Sequence, residues 1–82
     1  MEARRLLIAD GTEEFVSALA AALRGVYELR TCRTGTEALE LVRTYRPDMM
    51  VLDLMLPGLD GISLLQSEPM QELRPIVLAV SR

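Results

Sequence analysis

Two aspartates end short apolar runs, and at the second a carboxylate has little structural reason to be there. Asp10 follows the apolar run Leu6-Leu7-Ile8-Ala9, and Asp53 follows Met49-Met50-Val51-Leu52. Short unbroken apolar runs are the pattern of strands buried on both faces of a parallel sheet. In open sheets of that kind, ligands bind beyond the carboxyl ends of the strands, where the strand order switches. If the two runs are neighbours, Asp10 and Asp53 converge in one crevice. The loop carbonyls after Asp53 then add oxygen ligands suited to a hard divalent ion such as Mg²⁺. A carboxylate beside such an ion is also a nucleophile toward a phosphoryl group, because the metal offsets negative charge on both reactants. For Asp10 the competing role is an Asx turn that caps the next helix.

The elements that would hold this pair follow from hydrophobic periodicity. After the first strand, Phe15, Leu19, Ala22, Leu23 and Val26 form one stripe of an amphipathic helix, with Thr12 as its cap and Gly25 at its stop. Residues 26–32 alternate around Tyr27, Leu29 and Thr31, which predicts an exposed edge strand. Thr34 and Glu37 fit a capping box, and Ala38, Leu41, Val42 and Tyr45 supply the buried stripe of a second helix that Pro47 ends. Leu56-Pro57-Gly58 and Asp60-Gly61 mark turns, and Ile62, Leu64 and Leu65 open a short third helix that Pro69 is expected to stop. Pro75 introduces a last apolar strand, residues 76–80. Strand and helix alternate throughout, which specifies an α/β fold with a parallel sheet and right-handed crossovers.

Composition bounds the rest. Eighty-two residues, 50% of them hydrophobic, build one small core and no second domain. Nine basic residues against twelve acidic ones, scattered along the chain, disfavour nucleic-acid binding by this segment. Cys32 is the sole cysteine and there is no His, so neither a disulfide within the chain nor a soft metal site can form; the thiol is expected to be a small apolar residue in a reducing compartment. The basic flank Met1-Glu2-Ala3-Arg4-Arg5 precedes an apolar run that Asp10 cuts short, too short for export, and nothing approaches a membrane-spanning length. The expectation is a soluble cytoplasmic protein.

The stretch Pro47-Asp48-Met49-Met50-Val51-Leu52-Asp53-Leu54-Met55-Leu56-Pro57-Gly58-Leu59-Asp60-Gly61 resembles the phosphorylation-site signature of bacterial response-regulator receiver domains. Residues 6–15 are similar to the family's acidic-pocket segment, and Gly35, Glu37, Ala38 and Leu39 to its second-helix pattern. Residues 9–15 also resemble, over a short stretch, receivers of sporulation-type regulators. The resemblance implies a CheY-like, flavodoxin-like doubly wound parallel sheet of order 2-1-3-4-5. It implies Asp53 as phosphoacceptor, and Asp10, Asp53 and the Met55 backbone carbonyl as Mg²⁺ ligands. It further implies a sensor histidine kinase as phosphoryl donor, slow self-dephosphorylation as the only enzymatic act, and an effector elsewhere, regulating transcription.

Three departures qualify what carries over. Gly11 replaces the second consecutive acid, which weakens the expected metal affinity, with Glu13 or Glu14 as substitutes in the first helical turn. Val80 falls at the switch Thr/Ser position, and Ser81, one residue on, is the available hydroxyl. The chain holds no Lys, and it ends before the family's fourth helix, fifth strand and fifth helix, so residues 1–82 read as a receiver incomplete at its C-terminus. A homodimer through the exposed fourth-strand edge is expected from this. The alternative function is a degenerate receiver that acts as an interaction module without phosphate. A metal-dependent phosphatase would want a second Asp two residues after the nucleophile, and that position is Met55.

Overall fold

The computed structural model describes residues 4–81. Met1 to Ala3, which open the basic flank noted above, and Arg82 lie outside the described residues. Eight elements follow one another: β1 (Arg5–Ala9), α1 (Glu13–Leu23), β2 (Glu28–Cys32), α2 (Gly35–Thr44), β3 (Met49–Asp53), α3 (Gly61–Leu65), α4 (Glu68–Leu73) and β4 (Ile76–Val80). The strands form one parallel sheet of order β2-β1-β3-β4. This is the expected α/β arrangement, with the two carboxylate-bearing strands adjacent.

Alternate strand residues enter opposite faces of the sheet, and the core divides accordingly. Leu7, Ala9, Met50 and Leu52 pack with Ala38 and Val42 of α2, Leu64 of α3 and Met70 of α4. Leu6, Ile8 and Val51 pack on the other face with Val16 and Ala20 of α1. No described helix is long and apolar enough to cross a membrane.

Three local expectations are corrected. Val26 belongs neither to the stripe of α1 nor to β2: Arg24 leaves the helix in an extended conformation, Gly25 turns at φ +96°, and Val26 is left 65% exposed. Ala22 is exposed as well, and the seam of α1 runs through Val16 and Ala20. Pro69 does not end the third helix but sits in the first turn of a fourth, α4, where its missing N–H would be unsatisfied in any case. Thr34 caps α2 as expected, its Oγ1 accepting from the Glu37 N–H at 3.2 Å and donating to Glu37 Oε1 at 3.0 Å. Thr12 holds the N-cap position of α1 without a side-chain cap.

A clamp at the amino-terminal end of the strands ties three elements together. The buried Tyr45 donates its hydroxyl to the Glu28 carbonyl at 2.7 Å, and Arg5 Nη1 donates to the Tyr45 carbonyl at 2.6 Å. The Arg5 and Arg30 guanidiniums sit 5.9 and 5.1 Å from the Tyr45 ring centre. Burial, and then the bond to Glu28, raise the Tyr45 hydroxyl above its ordinary value of 10.0. The folded state therefore favours the neutral phenol. Its contribution is complete below the unfolded value and is lost as pH rises through the folded one. Tyr45→Phe should cost about 1 kcal/mol at neutral pH. Melting curves taken upward from pH 9 should fall less steeply for the variant than for the parent; parallel slopes would remove Tyr45 from the alkaline response.

Candidate functional site

β1 and β3 run side by side in register Ala9 to Leu52, so their next residues, Asp10 and Asp53, lie at neighbouring strand ends. Adjacent strands are about 4.8 Å apart, which brings the two carboxylates into one crevice. Both are buried, Asp10 at 0% and Asp53 at 5% exposure. Each is oriented by its own loop: Asp10 Oδ1 accepts the Thr12 N–H at 2.8 Å, and Asp53 Oδ1 accepts the Met55 N–H at 2.9 Å. Asp10 thus does make the Asx turn that the sequence offered as its structural role, and it stands in the crevice as well. The outer strands hold the backbone of this end, with Asp10 N–H donating to the Cys32 carbonyl at 3.1 Å and Leu54 N–H to the Val80 carbonyl at 3.0 Å.

The loop after Asp53 is locked to the start of α2. Gly35 N–H donates to the Pro57 carbonyl at 3.0 Å, and a Cβ on Gly35 would lie 1.5 Å from the Leu59 carbonyl oxygen. Asp60 caps α3, accepting from Ser63 N–H at 2.8 Å and Ser63 Oγ at 3.0 Å, and these bonds hold its carboxyl below the usual range. The Met55 side chain is 73% exposed at the mouth of the crevice.

The remaining sequence-predicted residues are placed unequally. Glu13 forms an ion pair with Arg33 at 3.1 Å, which turns its carboxylate toward the end of β2. Glu14 is exposed on the first turn of α1. Val80 is the register partner of Asp53 and packs among the α1-side apolar residues, while Ser81 lies one residue past β4 and is exposed. Among the described residues no group of three or more His, Cys, Asp or Glu comes together to hold a metal. Arg33 carries no signal in the sequence; only the β1–β2 pairing brings it over the first turn of α1.

Gly11 sits between Asp10 and Thr12. A Cβ there would meet Pro57 Cδ at 3.5 Å and the Arg33 carbonyl oxygen at 3.8 Å, both ordinary contacts, so the backbone does not require glycine.

A doubly wound α/β fold with paired buried carboxylates at the ends of its first and third strands defines the receiver class of signalling modules. The chain belongs to the response regulator receiver domain family, whose model matches residues 6–82. It is 39% identical over 79 residues to protein-glutamate methylesterase/protein-glutamine glutaminase 2 of Rhodopseudomonas palustris, covering 94% of this chain and 22% of that protein. It is 37% identical over 81 residues to the alkaline phosphatase synthesis transcriptional regulatory protein PhoP of Bacillus subtilis, covering 96% and 34%. The receiver domain of Francisella response regulator 1452 superposes with a TM-score of 0.84 at 31% identity, covering 95% of this chain and 65% of that one. The chain thus spans about a third or less of the curated proteins it matches.

Proposed function

We propose that Asp53 accepts a phosphoryl group from the phosphohistidine of a sensor histidine kinase and that this controls an effector carried elsewhere in a cytoplasmic transcription regulator. The observation that carries this reading is the pair of buried carboxylates, Asp10 and Asp53, at adjacent strand ends. An Asp53 oxygen attacks phosphorus as the bond to the histidine nitrogen breaks, leaving an acyl phosphate on Asp53 and a neutral imidazole on the kinase. Water later returns the carboxylate and inorganic phosphate, and that slow hydrolysis is the only turnover expected.

Mg²⁺ fits the donor set in kind, because two carboxylates and a loop carbonyl are hard oxygen ligands. Asp10, Asp53 and the Met55 carbonyl would hold it. When bound it offsets charge on the incoming phosphoryl oxygens. The Met55 N–H, donating to Asp53 Oδ1 at 2.9 Å, orients the Asp53 carboxylate. Ser81 is the hydroxyl of this reading, and it reaches the group only by a shift at the end of β4, since Val80 occupies the register position. Incubation with Mg²⁺ and acetyl phosphate, followed by intact mass, tests the proposal. An adduct of one phosphoryl group that maps to Asp53 is expected, and its absence from the full-length protein would favour the degenerate interaction module.

Gly11 favours that second reading, because it leaves the pocket one carboxylate short. A Cβ at Gly11 meets its neighbours only at ordinary contact distance, so a side chain can be restored there. Gly11→Asp should raise Mg²⁺ affinity by about tenfold or more, roughly 1.4 kcal/mol, with little change in melting temperature. Calorimetric titration measures it; an unchanged affinity would show that the site is not a cation site.

A further inference from the structure

α2 and α4 share one core cluster, to which they contribute Val42 at 1% and Met70 at 4% exposure. Between the two helices lies a cavity of about 330 Å³, lined by Val42, Arg43, Arg46, Glu68, Pro69 and Glu72. Its walls carry opposite charge. Arg43 and Arg46 stand three residues apart at the end of α2, and Glu68 and Glu72 stand four apart on one face of α4. Val42 and Pro69 supply the apolar part. The backbone beneath each wall is fastened: Arg46 N–H donates to the Leu41 carbonyl at 3.2 Å where α2 stops, and Gln71 N–H donates to the Ser67 carbonyl at 3.0 Å in α4. The four charged side chains are exposed, and among the described residues no ion pair joins the two walls. None of the six takes part in the carboxylate crevice.

A ligand of one charge suits this cavity poorly. An anion drawn to the guanidiniums meets two carboxylates across from them, and a cation drawn to Glu68 and Glu72 meets two guanidiniums. A molecule that carries both charges satisfies both walls. The volume is at the lower end of the range for small-molecule sites, roughly 300–1,000 Å³. A partner's helix, about 10 Å across, is too wide to enter it. We propose that this cavity binds a small zwitterion, an α-amino acid with an apolar side chain. Both charges of such a molecule sit on one carbon, which leaves its side chain free to lie on Val42 and Pro69. The carboxylate is held by Arg43 and Arg46, whose planar guanidiniums offer paired donors, and the ammonium by Glu68 and Glu72. Water and salt screen exposed charges, so the expected affinity is millimolar.

Titration of the full-length protein with L-leucine, followed through its backbone amide shifts, decides. Saturable shifts are expected in residues 42–46 and 68–72. The analogue without the ammonium, 4-methylpentanoate, and the analogue without the carboxylate, 3-methylbutylamine, should each bind about fivefold more weakly or worse. Glu72→Arg, at an exposed position, should stay folded by circular dichroism and reverse the preference, losing leucine and gaining 4-methylpentanoate. Arg43→Gln makes the same test from the other wall: it should weaken leucine and bind 3-methylbutylamine no worse than the parent does. An absence of shifts at millimolar leucine, shifts confined to other segments, equal binding of the three compounds, or variants that keep the parent's preference would each overturn the proposal.

Discussion

Asp53→Asn is expected to take up no phosphoryl group from acetyl phosphate under conditions that load the parent. An amide oxygen is a poor nucleophile toward phosphorus and leaves no anion to share with a metal, so the loss should be complete. The fold should survive. Asn keeps an oxygen at the position that accepts the Met55 N–H at 2.9 Å, and the packing of Leu52 and Leu56 beneath it is unchanged. Two carboxylates buried side by side repel each other when no cation is bound, so neutralising one should leave the melting temperature level or raise it by a few degrees. Asp10→Asn provides the contrast, with slower loading but an adduct still on Asp53. A drop of more than about 2 kcal/mol in Asp53→Asn would show that the carboxylate is there to hold the loop together.

Gly35→Ala should destabilise the chain by about 3 kcal/mol or more, which in a domain of this size lowers the melting temperature by roughly 10 °C or beyond. Alanine improves helix propensity at the first position of α2, and on that ground alone the change would help. Contact decides the sign. The new methyl would stand 1.5 Å from the Leu59 carbonyl oxygen and 2.8 Å from Leu59 Cβ, and the obstacle is backbone. Relief requires the loop after Asp53 to move away from α2, breaking the Gly35 to Pro57 bond. Phosphoryl loading of Gly35→Ala should fall with stability, whereas Gly11→Ala, where the new methyl makes only ordinary contacts, should change neither by much. Equal melting temperatures for Gly35→Ala and the parent would show that the loop yields freely.

The two carboxylates were readable from the chain because each Asp ends an apolar run; alternation of strand and helix left the neighbourhood of the two strands open, and only the receiver resemblance implied it. Thr34 and Glu37 announced the start of α2 by local chemistry alone. Pro69 misled because proline both stops one helix and starts another, and only the packing of Met70 beneath α2 decides between them. Val26 misled because an apolar residue fits either neighbouring pattern, while Gly25 sends it to solvent. The Glu13 to Arg33 pair and the seat of Leu59 over Gly35 join residues far apart in sequence. No periodicity encodes such contacts, since they exist only once the sheet has brought its loops to one end.

The Tyr45 clamp gives the protein its own optical reporter. There is no Trp, and Tyr45 is one of only two tyrosines. Its buried ring lies near the guanidiniums of Arg5 of β1 and Arg30 of β2 while its backbone closes α2, so the ring reaches this setting only when all three elements have met. Near-ultraviolet absorbance and phenol emission therefore follow the joining of the first half of the sheet without any label. Tyr27, half-buried against the α1 side, supplies a second and weaker signal that Tyr27→Phe would remove.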